Sequence, residues 1–312
     1  MPLEVPDRNE WFPKIEAFPR PDWPAIRGWK RAWIGKDEQE EATQQIIRYW
    51  LERVRAALGG TYSIVESDHF HFLSTLEEKG RTRMLQFLES SRDRLRHTLG
   101  DAAWSDTMGK HVILRFTEID DYYAYIAHFY SEGEHATSAG IFLRGGYCHI
   151  AYYEQLQMDS ERMTLAHELA HNLVANLPLP LWFNEALAEA FEADLVGRRF
   201  AAVPRDLHAE HEAFWNAETI QEFWRGKSFH TVKGQRVSYS LAQVLLDIIN
   251  REVRPPGDVF RRFVKQSTWQ DAGEAAAQEQ LEVGLGEIAS VFLGEGDWSP
   301  RPETWESGKR QV

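Results

Sequence analysis

The stretch Thr164-Leu165-Ala166-His167-Glu168-Leu169-Ala170-His171-Asn172-Leu173-Val174 decides how this chain is read. Leu165, Leu169, Leu173 and Val174 recur with the period of a helix, so the segment has a buried side whatever its chemistry. His167 and His171 are four residues apart and therefore share one helix face, where two imidazoles can chelate a metal ion. Glu168 stands beside the first histidine, where its carboxylate can take a proton from a water on that metal.

A catalytic zinc wants three protein ligands and one open position. Cys148 is the only cysteine, so no intrachain disulfide can form and a cysteine-based zinc site cannot be built. Any metal must be held by histidines and carboxylates. Downstream, Pro178-Leu179-Pro180 breaks the helix and supplies a turn. The segment that follows has apolar residues at 182, 183, 186, 187, 190 and 191, the pattern of a second helix packed on one side. Glu185, Glu189 and Glu192 form a stripe along it, and a carboxylate of this stripe can complete the site.

Together, His167-Glu168-Leu169-Ala170-His171 and Leu181-Trp182-Phe183-Asn184-Glu185-Ala186-Leu187-Ala188 resemble the gluzincin metallopeptidases, in particular their bacterial peptidase-MA-like members. The resemblance covers about residues 62 to 250. It implies a thermolysin-like fold, one Zn2+ per chain, and Glu185 as third ligand to His167 and His171. It further implies that Glu189 and Asn184 support the ligands, Glu189 by orienting a histidine. Glu168 is then the general base on a zinc-bound water in peptide-bond hydrolysis. The oxyanion donor implied is Tyr239, which resembles the tyrosine opening the helix after the ligand helices, with His230 in reserve. The sequence departs from the family at Ala186, where a glycine is usual, and in the short connection between His171 and Glu185. The Gly-x-Met-Glu-Asn segment by which aminopeptidases of the family anchor a free amino terminus is absent. A peptide or protein substrate cut internally is therefore expected rather than aminopeptidase action.

Upstream, the pattern alternates strand and helix. Strands are expected at 62–66, 69–73 and 110–116, helices at 46–58, 76–99 and 119–130. Gly145-Gly146 between two β-rich runs predicts a hairpin over 140–153, and the resemblance makes it the edge that would bind an extended substrate. After Gln157 the signal is helical, at 159–176, 182–197, 208–225, 238–251, 257–266 and roughly 271–293. The fold class expected is α+β, with a small mixed or antiparallel sheet in the first half and a mainly helical second half, the zinc helix pair lying at the cleft. Residues 1–40, rich in Pro and Trp, read as an extended arm that docks on the body or on a partner. Residues 41–157 form the α+β part, 158–300 the helical part and 301–312 a polar tail.

A formal net charge of −13 repels a phosphate backbone, so nucleic acid is an unexpected partner. The longest run free of charged residues, 169–184, carries His, Asn and two prolines and falls short of a membrane span. The first residues show neither a basic start nor an apolar run, so a cytoplasmic protein is expected. His69 and His71 read as the solvated face of a strand, and His208 and His211 as a charged helix surface. Two other functions stand beside the peptidase. One is a catalytically inactive binding or regulatory module on the same fold. The other is a di-iron site using Glu168-x-x-His171, which needs a second such motif; Glu66/His69 and Glu132/His135 are the other matches.

Overall fold

The computed structural model describes residues 3–103, 109–129, 138–195, 197 and 204–305. The chain divides into two compact units. One comprises Met1–Asp93 and Asp106–Asn172, the other Arg94–Ser105 and Leu173–Val312.

The first unit opens with a two-stranded ribbon, β1 (Lys14–Ile15) and β2 (Phe18–Pro19), and two helices, α1 (Trp23–Trp33) and α2 (Gln39–Leu58). Residues 1–40 are thus not an extended arm throughout. Asp22 accepts a hydrogen bond from the Ala25 amide at 3.0 Å and Pro24 lies in the first turn, where its missing N–H costs nothing, so the Pro-containing segment starts a helix. The segment docks on its own unit: Val5, Trp11, Phe18, Trp23 and Ile26 are buried in the core that α2 builds with Ile46, Trp50 and Val54. The Tyr49 hydroxyl donates to the Val5 carbonyl at 2.9 Å and the Trp50 indole to that of Pro19 at 3.3 Å.

The remaining elements of this unit are β3 (Ser63–Glu66), β4 (Phe70–Ser74), α3 (Glu78–Leu99, of which the part from Arg94 on is counted to the second unit), β5 (His111–Phe116), α4 (Ile119–Ala127), β6 (Gly140–Leu143), β7 (His149–Tyr153) and α5 (Met158–Leu173). The five strands form one mixed sheet in the order β3-β4-β5-β7-β6. β4, β5 and β7 run parallel in its middle, and β3 and β6 pair antiparallel at its edges. The central strands are buried along almost their whole length, as parallel strands covered on both faces must be. The hairpin forms with Gly140 opposite Tyr152 and Leu143 opposite His149. Gly146 at its turn has φ +83°, and a Cβ there would meet the Trp23 ring at 2.0 Å, so both backbone and space call for glycine.

The second unit holds α6 (Leu181–Leu195), α7 (Arg205–Phe214), α8 (Thr219–Trp224), α9 (Gln235–Ile248), α10 (Gly257–Gln266), α11 (Glu274–Ala276) and α12 (Leu285–Leu293). Two expected helices are broken. Within 208–225 the Asn216 Oδ1 accepts from the amides of Glu218 and Thr219 at 2.9 and 3.0 Å, ending one helix and starting the next. Within 271–293, Glu282 adopts φ +58° before Gly284, whose amide is taken by Glu287 at 2.9 Å. The core is aromatic: Trp182, Phe183, Phe223, Trp224 and Phe263 are buried, and the Trp182 indole donates to the Ala272 carbonyl at 2.9 Å.

The expected polar tail begins as an anchored segment. The Gln221 side chain donates to the Ser299 carbonyl at 2.8 Å and accepts from the Arg301 amide at 2.9 Å and the Trp305 indole at 3.1 Å. The Trp224 indole donates to Trp298 at 2.8 Å. Residues 306–312 lie outside the described residues, as do Tyr130, Val196 and the Glu132/His135 pair. Among the described residues no helix is long and apolar enough to cross a membrane.

Candidate metal centre

Helix α5 carries the first set of donors, and the sheet fixes its position. Arg115 on β5 and Glu161 in the first turn of α5 are 3% and 2% exposed and form a two-point ion pair, Nε to Oε2 at 2.9 Å and Nη2 to Oε1 at 2.8 Å. Burial opposes the charge on Arg115, but the Glu161 carboxylate outweighs it and the guanidinium pKa stands above its ordinary value. The Gln155 side-chain amide donates to Thr164 Oγ1 at 2.9 Å, and Gly140 on β6 faces the same threonine so closely that a Cβ would meet its methyl at 2.4 Å. The helix is therefore set against the sheet at both its first and second turns.

From that seat, Leu165, Ala166, Leu169 and Ala170 are buried to 2% or less. His167 and His171 are half-buried on the other face, with ring centroids 4.7 Å apart. Glu168 is 9% exposed beside them. The structure thus brings these three side chains together on one helix, as their spacing requires.

Helix α6 carries the second set. Pro180 accepts from the amides of Phe183 and Asn184 at 3.1 and 3.0 Å, so the chain enters the helix directly from the proline break. Trp182, Phe183 and Ala186 bury one side. Glu185 is 8% exposed, while Asn184, Glu189 and Glu192 are half-buried. Helix α9 packs along α6, and Gln243 donates to Glu189 Oε2 at 2.7 Å. Tyr239 lies one turn before Gln243 on the same face of α9, its ring edge-on to Phe229 at 5.2 Å. His230, by contrast, ends a short 3-10 turn, Lys227–His230, and is exposed.

Gln243 and the Arg115–Glu161 pair escaped the reading of the sequence. The spacing of Tyr239 and Gln243, four apart on a helix, was the available signal for the first. For the second it was a lone arginine inside the apolar run His111–Phe116. Two histidine expectations are corrected. His71 is 1% exposed and contacts Gln44 Oε1 at 2.8 Å, because both faces of β4 are covered. His211 is 1% exposed, accepting from the Trp215 indole at 2.8 Å and meeting Ser240 Oγ at 2.9 Å. His69 pairs with Glu89 at 2.8 Å, and His208 lies exposed near Glu212.

Compared with protein-family models and with curated proteins, the chain matches none.

Proposed function

We propose that the chain is a zinc-dependent peptidase of gluzincin type, with a thermolysin-like arrangement, hydrolysing internal peptide bonds. The observation that carries the reading is the α5 face itself: His167 and His171 with ring centroids 4.7 Å apart and Glu168, 9% exposed, beside them; Glu185 of α6 is the third ligand this reading assigns. Two imidazoles and one carboxylate are the donor set of a catalytic zinc site, so the residues fit the metal. Glu189, one turn after Glu185 on α6, is the carboxylate this reading assigns to orient a ligand histidine.

Zinc bound there supplies Lewis-acid polarisation of a carbonyl and acidifies water. The work of the chain is to position and to move protons. Glu168, nearly buried beside the histidines, takes the proton from the attacking water and returns it to the leaving amine. Gln243 fixes the Glu189 carboxylate, which in turn holds a histidine ring. Tyr239, on the same α9 face as Gln243, is the hydrogen-bond donor for the oxyanion, with His230 as the alternative. Strand β6, at the sheet edge, is the place where an extended peptide would add by main-chain hydrogen bonds.

The test is zinc content per chain together with cleavage of a peptide library, wild type beside Glu168→Gln. One zinc per chain in both, with cleavage lost in the variant, supports the reading. Undiminished cleavage by the variant overturns it. Ala186, standing where a glycine is usual and fully buried, favours a second reading in which the same residues bind zinc in a catalytically inactive module. One zinc and no cleavage by the wild type would select it.

A further inference from the structure

The first unit contains a cavity of about 40 Å³ walled by Arg20, Trp23, Trp50, Tyr125, Phe129 and His149. The exposed residues His128 and Gly145 stand at its rim. Arg20 is the charged group in it, and it is 5% exposed. Its Nη2 donates to the Tyr125 carbonyl, while Nε and Nη1 have no hydrogen-bond partner. The guanidinium carbon sits 4.1 Å from the centre of the Tyr125 ring and 5.0 Å from that of Phe129, so aromatic faces offset part of its lost hydration.

His149 has no ring nitrogen left to accept from Arg20. His149 Nδ1 donates to the Tyr147 carbonyl at 2.9 Å, which leaves Nε2 to accept from the Tyr125 hydroxyl at 2.8 Å. Burial pushes its pKa down to about 4, so the ring is neutral at pH 7. Burial likewise lowers the pKa of Arg20, against the opposing influence of Tyr125 and Glu16, and the Arg20 charge lowers that of His128 further after burial has done so. No carboxylate lines the cavity among the described residues. A buried cation with unmet donors is costly, and the group that satisfies it best is an anion.

Size and lining narrow that anion. About 40 Å³ corresponds to roughly three water positions, the bulk of a carboxylate with one or two carbons. Aromatic walls suit an apolar carbon end and one charge, matched to one guanidinium.

We propose that this cavity is a binding site for a small carboxylate, with Arg20 as the counter-charge and Trp50, Tyr125 and Phe129 enclosing its carbon end. The carboxylate can be that of a free short acid or the terminal carboxylate of a peptide entering at the rim. The site is independent of the residues assigned to the metal.

The test is an NMR titration of the full chain at pH 7 and constant ionic strength, following the Arg20 Nε–H and Trp50 indole signals. Sodium acetate is compared with sodium chloride, and an acetylated tripeptide with its C-terminal amide. Acetate is expected to give a saturable shift at least tenfold tighter than chloride, and Arg20→Gln to weaken it at least tenfold, read on Trp50. Gly145→Val keeps Arg20 but places a Cβ 2.5 Å from the Phe129 ring, narrowing the rim, and is expected to weaken acetate by a similar factor. Should Arg20→Gln fail to fold, the Gly145→Val titration carries the test, its fold being checked by thermal unfolding without acetate. Binding by the free-acid tripeptide and not its amide identifies a chain-borne carboxylate; binding by acetate alone identifies a free acid. Equal effects of acetate and chloride, or an acetate shift retained in Arg20→Gln, overturn the proposal.

Discussion

Arg115 of β5 and Glu161 of α5 meet through two parallel hydrogen bonds of 2.9 and 2.8 Å with neither side chain more than 3% exposed. The pair joins the middle of the sheet to the helix that carries His167 and His171. Removing Arg115 leaves the Glu161 carboxylate in the interior without its counter-charge, and removing Glu161 leaves Arg115 with the longer, half-exposed Glu154 pair at 3.4 Å. Glu161→Gln or Arg115→Met alone is therefore expected to cost about 3–5 kcal/mol, and the double change Arg115→Met with Glu161→Leu markedly less than the two single costs added. Urea unfolding of the three variants checks this; additive costs would show that the two residues act separately.

At the candidate metal centre the roles separate by readout. His167→Ala, His171→Ala and Glu185→Ala are expected to lose zinc under dialysis that leaves the wild type loaded. Glu168→Gln is expected to retain zinc and to lose about 10²–10⁴-fold in cleavage rate. Gln243→Ala, which removes the hydrogen bond to Glu189 Oε2, is expected to weaken zinc binding by roughly 10–100-fold, measured by competition with a chelator. Unchanged zinc affinity in Gln243→Ala would leave Glu189 without a role at the metal.

Four histidines bear on acid stability. His71, His111, His149 and His211 are each 3% exposed or less, and burial lowers each pKa from 6.5 to about 4. Between pH 6.5 and about 4 the unfolded chain binds protons that the folded chain does not. Stability therefore rises with pH through this window and falls on acidification, by at most about 1.4 kcal/mol per pH unit for each histidine. Glu66 acts lower: its hydrogen bond from Lys110, opposed by burial and aided by Arg48, brings its pKa to about 2, so its contribution is lost only as pH falls from 4.5 toward 2. Urea unfolding at pH 7, 6 and 5 tests the first effect. A free energy flat across that range would contradict it.

Gly140 sets the spacing between β6 and α5. A Cβ there would meet the Thr164 methyl at 2.4 Å and the Tyr152 Cβ at 3.1 Å. Gly140→Ala is expected to destabilise by about 1–3 kcal/mol, measured by thermal unfolding, and Thr164→Ser to recover part of the loss by removing that methyl. No recovery in the double variant would place the strain elsewhere.

The two donor helices were legible because their signals are local. Residues four apart must share a helix face, and the proline break at 178–180 separates α5 from α6 whatever surrounds them. Strands β4 to β7 were legible for the same reason, through short β-rich runs and a Gly-Gly turn. What the sequence left hidden depends on distant partners. His71 and His211 look like surface residues until the sheet and α9 cover them. The breaks at Asn216 and Gly284 depend on side chains accepting backbone amides, which periodicity does not register. The helix at Trp23–Trp33 was obscured by the prolines at 19, 21 and 24, although Asp22 and Pro24 stand where a helix begins. Arg20 shows nothing unusual in sequence, and its buried, partly unmet guanidinium appears only once Tyr125 and Phe129, about a hundred residues later, close over it.

The hydrogen bonds that join Gln221 and Trp224 with residues 298–305 span 74 to 84 positions of chain. As a ribosome makes this protein, α8 emerges well before any of those partners exists. The Gln221 amide and the Trp224 indole must wait in water or in makeshift contacts until Trp298 to Trp305 have left the exit tunnel. Completion of the second unit therefore waits on the synthesis of residues 298–305, and a chain halted before residue 298 would lack the closing bonds while already carrying every proposed metal ligand.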